Sequence, residues 1–227
     1  MTTILDATLE NAEALDAEEL VRWGFERFEG DIAIASSFGA EDVVLIDLAA
    51  KSGARFRVFT LDTDFLFDET YALIERLEAR YGFVVERCRT ALTPPQQAAV
   101  HGDALWTREP DRCCAIRKVE PLVAKLRELR AWITGIRRDQ APTRANAKKF
   151  EWDEKFGLWK LNPIADWNAD RVWTYIRSHG VPYNPLHDRG YPSIGCTYCT
   201  RAVQPGEDAR AGRWSGFAKT ECGLHKA

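Results

Sequence analysis

The sequence predicts an α/β protein built on a doubly wound, mostly parallel β-sheet. Short apolar runs rich in β-branched residues, which are typical of buried strands, alternate with amphipathic stretches of ten or more residues, which are typical of helices. Several of the helical stretches end at a glycine, a common helix terminator. Strand–helix–strand units cross over with a right hand, so they place helices on both faces of a parallel sheet.

The individual elements follow one another regularly from residue 31 onward. Strands are predicted over 31–37, 55–63, 83–88 and 130–137. Helices are predicted over 41–53, 67–82, 118–129 and 166–180. The last helix has an N-cap signal at Asn168 and a stop at Gly180. The polar, turn-rich stretch 136–157 is interpreted as a loop over the site, and residues 181–227 as a long tail that a core does not hold.

Length and composition indicate one soluble domain. The 227 residues are 45% hydrophobic and 29% charged, enough for a core and short enough for a single domain over 1–227. Within it, residues 1–29 are expected to form an N-terminal helical segment and residues 205–227 a C-terminal tail, to which the family resemblance described below gives a catalytic role. No apolar run has the length of a membrane span, and the acidic N-terminus does not resemble a signal peptide. A cytoplasmic protein with no membrane partner is therefore expected.

The charge is distributed unevenly along the chain. Residues 1–112 contain 22 acidic and 11 basic side chains, whereas residues 113–227 contain 12 acidic and 20 basic ones. The second half is therefore expected to supply any anion site. A basic surface that only faces solvent explains the same excess.

Two loops at the predicted carboxyl ends of strands are candidates for a nucleotide site, because ligands bind at those ends of parallel sheets. "ASSFGAED" (35–42) leads from a strand into a helix, and its small residues and unpaired amides suit a phosphate. A plain strand-to-helix turn is the alternative. In the next loop, Asp62 and Thr63 are expected to meet the ribose or base.

Six cysteines in a reducing compartment favour a metal site or a reactive thiol over disulfides. Cys113 and Cys114 are adjacent, and Cys196 and Cys199 form a CxxC pair, which together supply four thiolates. An iron–sulfur cluster is favoured over zinc, because adjacent side chains diverge on a helix. Unliganded cysteines are the remaining alternative, and Cys88 is interpreted as a core residue.

Seven motifs in order resemble one family, the assimilatory adenylyl-sulfate (APS) reductases. These sulfonucleotide reductases are similar to phosphoadenylyl-sulfate reductases and are related to the ATP-pyrophosphatase (adenine nucleotide alpha hydrolase-like) fold. The resemblance runs from about residue 30 to residue 225 and is carried by "ASSFGAEDVVL", "LDTDFLFDETY", "CCAIRKVEPL", "WITGIRRDQAPTR", "YPSIGCTYCTR", "GEDARAGRW" and "KTECGLH".

The resemblance implies a reaction and its partners. Cys222 is the implied nucleophile, on a mobile C-terminal tail, and attacks the sulfur of adenylyl sulfate to release AMP and leave a Cys222 S-sulfonate. Thioredoxin, or a glutaredoxin-like reductant, then releases sulfite for cysteine biosynthesis. A [4Fe-4S] cluster on Cys113, Cys114, Cys196 and Cys199 is implied to order the site without changing oxidation state.

The resemblance also implies ten substrate-binding residues. They are Ser36, Ser37, Gly39 and Asp42 in the first loop, Leu61 against adenine, Lys118 after the paired cysteines, Gly135 at a strand end, and Arg144, Arg210 and Arg213 on the phosphosulfate. Lys118 lies four residues beyond Cys114, which puts both on one face of a regular helix. No catalytic part is assigned to His225 or Glu221, and His101, His179 and His187 are interpreted as structural.

Three other functions remain open. A phosphoadenylyl-sulfate (PAPS) reductase typically has no cluster cysteines in this family. A tRNA-thiolating enzyme of the same fold requires a basic RNA-binding surface and an SGGxDS loop, which this sequence does not show, so no nucleic-acid partner is expected. A non-catalytic cluster sensor has no use for "ECGLH". The sequence is compatible with a homo-oligomer but does not define one.

Overall fold

Six short strands form one sheet in a computed structural model that describes residues 11–217, 219, 223 and 224. They are β1 (Ile32–Ala35), β2 (Val58–Leu61), β3 (Val85–Cys88), β4 (Ala131–Ile133), β5 (Phe150–Asp153) and β6 (Leu158–Leu161). Their spatial order is β3-β2-β1-β4-β6-β5. Neighbouring strands pair in parallel except β5 and β6, which are antiparallel. The predicted mostly parallel sheet is confirmed.

Helices connect the strands and cover the sheet. They are α1 (Ala17–Phe28), α2 (Ala40–Lys51), α3 (Asp68–Tyr81), α4 (Pro94–His101), α5 (Leu105–Arg108), α6 (Pro110–Cys114), α7 (Glu120–Leu126) and α8 (Ala169–His179). The predicted stops after α3 and α8 are confirmed, because Gly82 and Gly180 adopt φ values of 69° and 57°. In the described part of the chain, no helix has the length and apolar character needed to cross a membrane.

The side chains of alternate strand residues belong to two separate cores. Ile32 and Ile34 of β1 pack with α1, α2 and α8 in the main core, whereas Ala33 between them packs with Leu122 and Trp132 on the other face. This alternation follows from the two-residue period of a strand. Both faces of the sheet are therefore covered, as a doubly wound fold requires.

The interpretation of residues 136–157 as a loop is wrong at its C-terminal end. Phe150–Asp153 forms β5, which pairs with the unpredicted strand β6 as an antiparallel hairpin at the sheet edge. The ring of Phe150 stacks on that of Trp159 with centroids 4.6 Å apart. Charged residues such as Glu151 and Asp153 are tolerated because β5 is an edge strand, so the segment has the composition of a loop.

The helix predicted over 118–129 is also different. The helical segment starts earlier, with α6 at Pro110, and ends at Leu126. Between α6 and α7 lies a π-helical turn, Ala115–Val119, in which the backbone N–H of Glu120 donates to the carbonyl oxygen of Ala115. Cys114 and Lys118 are therefore not related by a regular α-helical turn.

Candidate active site

A cavity of about 420 Å³ opens at the carboxyl ends of β1, β2 and β4 and is closed on the far side by residues 187–214. All ten residues expected to bind substrate line it: Ser36, Ser37, Gly39, Asp42, Leu61, Lys118, Gly135, Arg144, Arg210 and Arg213. These residues are distributed over 178 positions of the chain, from Ser36 to Arg213. The fold thus brings together what the family motifs place far apart in sequence.

The first loop folds around a carboxylate of the protein itself. Asp42, near the start of α2, accepts hydrogen bonds from the backbone N–H of Ser37 at 2.6 Å and from its hydroxyl at 2.8 Å. The backbone N–H of Phe38 donates to the Ser36 hydroxyl at 3.1 Å. The expectation of unpaired amides in this loop is therefore wrong for Ser37 and Phe38. Burial raises the pKa of Asp42 to about 6, although the hydrogen bonds from Ser37 oppose this shift.

The second loop does not place Asp62 and Thr63 in the cavity as expected. Asp62 is buried and accepts hydrogen bonds from Arg89 at 2.6 Å and from the Tyr71 hydroxyl at 2.7 Å. Burial alone would raise the pKa of Asp62, but these hydrogen bonds outweigh it and hold the pKa below its usual range. The hydroxyl of Thr63 lies 3.3 Å from the sulfur of Cys196. Of this loop's predicted contacts, Leu61 alone lines the cavity.

Gly135 follows β4 where the chain passes close to the first loop. A β-carbon at this position would lie 2.5 Å from Oδ1 of Asp42 and 2.8 Å from the β-carbon of Glu41. Two residues later, the buried side chain of Arg137 donates from Nε to Glu41 at 3.0 Å. The β4 end and the start of α2 therefore form one closely packed wall.

Five cationic side chains line the cavity from three segments of the chain: Lys118, then Arg137 and Arg144, then Arg210 and Arg213. Arg144 donates to Gln140 at 2.6 Å. Arg213 donates to the hydroxyl of Ser193 at 3.0 Å, and its guanidinium lies 4.5 Å from the ring centroid of Trp214. This concentration of positive charge, in a cavity closed on several sides, suits a ligand with two adjacent anionic groups.

The four cysteines of the two pairs surround a second, much smaller cavity of about 10 Å³. Cys113 and Cys114 end α6, and Cys196 and Cys199 flank a short 3₁₀ turn. A bridge between Leu66 and Cys196 brings this turn to the loop after β2. The separate pairs therefore meet, as the resemblance implies.

The thiols stand in an environment that disfavours isolated thiolates. Burial raises the pKa of Cys113 and of Cys199 to about 11, and the neighbouring cysteines raise it further, while Arg117 and Lys118 oppose the shift. A cationic iron centre reverses this balance.

The donor set is four thiols around one cavity, which is the ligand type of an iron–sulfur cluster. In the described part of the chain, no group of three His, Cys, Asp or Glu side chains could hold one metal ion. Zinc requires its four ligands within about 2.3 Å of one centre. In a four-iron cluster the ligands are spread over the cluster rather than gathered on one ion, so the thiolates can stand further apart.

Aromatic and basic side chains enclose the cysteine cavity. The ring of Trp106 stacks on that of Tyr198 with centroids 4.1 Å apart, and Phe65 meets Tyr198 edge-on. Arg117, which is 1% exposed, donates to Gln97 and to the carbonyl oxygen of Thr63 at 2.7 and 2.8 Å. Lys118 and Trp214 line both cavities, so one wall separates the two.

Cys222, the implied nucleophile, lies outside the described residues, as do Glu221 and His225. The next two positions along the chain are described. Leu224 lines the large cavity and packs against the core of Leu122 and Trp132. The carbonyl oxygen of Gly223 accepts a hydrogen bond from Lys155.

Sequence reasoning missed several residues of the large cavity. Arg137, His187, Trp214 and Leu224 line it in addition to the ten expected residues. His187 was interpreted as structural because no second histidine stands at a ligand-like spacing from it. Trp214 and Leu224 lie inside motifs that carried the resemblance, "GEDARAGRW" and "KTECGLH", and those motifs were the available signal.

Comparison with known proteins points to one family. Residues 31–202 match the family model of the phosphoadenosine phosphosulfate reductase domain. The adenosine 5'-phosphosulfate reductase of Shouchella clausii (strain KSM-K16) is 48% identical over 222 residues, which cover 97% of this chain and 91% of that protein.

Solved structures show the same fold. Phosphoadenylyl-sulfate (PAPS) reductase from Candida auris, in a phosphate complex, gives a TM-score of 0.76 at 30% identity and covers 86% of this chain and 95% of that chain. Candida glabrata FMN adenylyltransferase shares the fold alone, with a TM-score of 0.62 at 17% identity, over 86% of this chain and 66% of that chain. The match over residues 31–202 and the 48% identity to the Shouchella clausii protein establish that the chain belongs to the phosphoadenosine phosphosulfate reductase family.

Proposed function

We propose that this protein is an adenylyl-sulfate reductase, which converts adenylyl sulfate into sulfite and AMP for cysteine biosynthesis in the cytoplasm. The observation that carries the proposal is the wall shared by the two cavities. Lys118 and Trp214 border both the cationic cavity and the four-thiol cavity. The name of the Shouchella clausii relative supports the same substrate.

The cavity accounts for substrate binding. Leu61, at the end of β2, contacts the adenine, and the backbone of Gly135 after β4 lines the same cavity. Arg144, Arg210 and Arg213 hold the phosphosulfate through charge-assisted hydrogen bonds. Asp42 already accepts hydrogen bonds from the backbone N–H and the hydroxyl of Ser37 in the first loop. The three arginines, rather than the amides of that loop, therefore neutralise most of the ligand's negative charge.

The reaction proceeds in two steps at Cys222. The thiolate attacks the sulfur of adenylyl sulfate, an S–O bond breaks, and AMP leaves with the bonding electrons, which gives a Cys222 S-sulfonate. A thiolate of reduced thioredoxin, or of a glutaredoxin-like protein, then attacks Sγ of Cys222 and expels sulfite. The second thiol of the reductant resolves the mixed disulfide, so the dithiol supplies both electrons and Cys222 returns to its thiolate.

Cys113, Cys114, Cys196 and Cys199 hold a [4Fe-4S] cluster in this proposal. When bound, the cluster supplies local charge and rigidity, while the electrons come from the dithiol reductant. The protein itself holds the four cysteine side chains in place, because Thr63 contacts Cys196 and Arg117 is buried beside the thiols.

Turnover with the two sulfonucleotides tests the proposal. Steady-state rates with APS and with PAPS are measured in the presence of reduced thioredoxin. APS is expected to have the larger kcat/KM, because the two arginines that contact the second loop already pair with its carboxylates, Arg89 with Asp62 and Arg117 with Asp64, and a 3′-phosphate there requires donors of its own. Equal kcat/KM values would refute the substrate assignment, and absence of sulfite with either nucleotide would refute the activity.

A further inference from the structure

We propose that His187 binds the nucleotide by donating a hydrogen bond from its imidazole to a phosphate oxygen, an inference that rests on the proposed function. His187 lines the 420 Å³ cavity. Both of its ring nitrogens are buried, and neither has a hydrogen-bond partner among the described residues. Buried polar atoms nearly always have a hydrogen-bond partner in folded proteins. Two ring nitrogens without a partner at the wall of a cavity therefore indicate where a ligand atom binds.

Packing, rather than hydrogen bonding, holds the ring in place. His187 begins a 3₁₀ turn, His187–Arg189, and its ring meets that of Trp173 edge-on, with centroids 5.1 Å apart. The backbone of Tyr191 lies near enough to raise the pKa of His187 slightly against the effect of burial, but it makes no hydrogen bond to either ring nitrogen. The orientation of the imidazole is therefore set before a ligand binds, which limits the entropy lost on binding.

The protonation state of the ring leaves it able to donate one hydrogen bond. Burial lowers the pKa of His187 below its usual range, although Glu41 and Asp188 oppose this, so the apo protein carries a neutral ring with one donor and one acceptor. Glu41 is itself paired with Arg137 at 3.0 Å. Arg213 donates to Ser193 of the segment that follows the His187 turn. Arg137 and Arg213 line the same cavity as His187.

A replacement of His187 by Phe separates a binding role from a structural one. Phe keeps the edge contact with Trp173 and removes both nitrogens, whose burial without partners destabilises the apo protein. The full-length protein, purified anaerobically, is titrated with AMP by calorimetry. His187→Phe is expected to raise the dissociation constant about tenfold, the usual effect of losing one hydrogen bond to a charged group, with an equal or higher Tm.

Three further titrations sharpen the result. His187→Gln retains an amide donor and is expected to recover part of the affinity. His101 lies at the end of α4, outside the cavity lining, so His101→Phe is the matched control. It should leave the dissociation constant of AMP unchanged. Adenosine, which has no phosphate, should bind His187→Phe and wild type equally.

Each contrary outcome has a defined meaning. Unchanged AMP affinity in His187→Phe would overturn the role of His187 and leave the reductase proposal intact. A matching loss of adenosine affinity would overturn the phosphate contact, and a lower Tm with unchanged AMP binding would assign the ring a purely structural role. If wild type bound neither AMP nor APS, the proposed function itself would fail.

Discussion

Gly135 and Asp42 are so close that a β-carbon on Gly135 would lie 2.5 Å from Oδ1 of Asp42. This contact joins the end of β4 to the first loop, whose Ser37 donates twice to the same carboxylate. The carboxylate is buried and cannot move outward without breaking those hydrogen bonds. The pair therefore fixes the spacing between two walls of the nucleotide cavity.

Gly135→Ala is expected to lower the free energy of unfolding by about 1–3 kcal/mol, because a methyl group has no space at this position. AMP affinity should fall with it, since the added atom also displaces the cavity wall. Gly30→Ala is the control, because a β-carbon there meets nothing within 4 Å. Denaturant unfolding and AMP titration measure both effects, and equal behaviour of the two variants would contradict the close contact.

Asp42→Asn is expected to change how stability depends on pH. Burial raises the pKa of Asp42 from 3.8 to about 6 in the folded protein, so the folded state binds the proton more tightly than the unfolded state does. That contribution favours folding at low pH and is lost as the pH rises from about 4 through 6. The Tm of Asp42→Asn relative to wild type should therefore increase over this range and level off above it. A Tm difference that does not vary with pH would contradict the shifted pKa.

The anaerobically purified protein is expected to be brown and to contain about four irons per chain, because four thiols surround one cavity. Cys196→Ser should lower the iron content strongly. Cys88→Ser should not, because Cys88 is the last residue of β3 and packs against the core of Leu122 and Trp132. Stoichiometric zinc without iron in the wild type would contradict the cluster.

Cys222→Ser is expected to abolish sulfite formation while retaining iron and AMP affinity, because a hydroxyl has a far higher pKa than a thiol. Wild type mixed with APS in the absence of a reductant should release one AMP and gain one SO₃ on the C-terminal peptide. Mass spectrometry locates the adduct. An adduct on Cys88 or on a cysteine of the small cavity would rule out Cys222 as the nucleophile.

Leu224→Ala is expected to slow formation of the S-sulfonate by about tenfold or more, because Leu224 packs against the core two positions after Cys222 and a small misplacement of a nucleophile is costly. Quenched-flow measurement of AMP release gives the rate. Leu224→Met preserves the apolar volume and should restore most of it. If Leu224→Ala and Leu224→Met form the S-sulfonate equally fast, the packing of Leu224 does not position Cys222.

The parts of the fold that could be predicted are those that local sequence determines. Strand–helix alternation and the stops at Gly82 and Gly180 depend on neighbouring residues, and the structure confirms them. The β5–β6 hairpin was missed because an edge strand tolerates charge. Its stability comes from cross-strand contacts such as that of Phe150 with Trp159.

The candidate site likewise contains residues that the local sequence identifies and residues that only the folded chain brings together. The family motifs predicted ten residues, and all ten line one cavity. They could be predicted because each is identified by its immediate neighbours in the sequence. Arg137 and His187 were missed, since their environments arise only in the folded chain. Arg137 reaches Glu41 across 96 positions. The ring of His187 is held by Trp173, which belongs to α8.

The π-helical turn between Cys114 and Glu120 makes the two cavities dependent on the exact length of that segment. A π turn contains one residue more than an α turn. Deleting one residue from Ala115–Val119 would return the turn to a regular helix and leave one position fewer for Arg117 and Lys118, which both line the cysteine cavity. Relatives that use the same shared wall should therefore keep these two residues and the length of the segment, and vary in residue type only at its other positions.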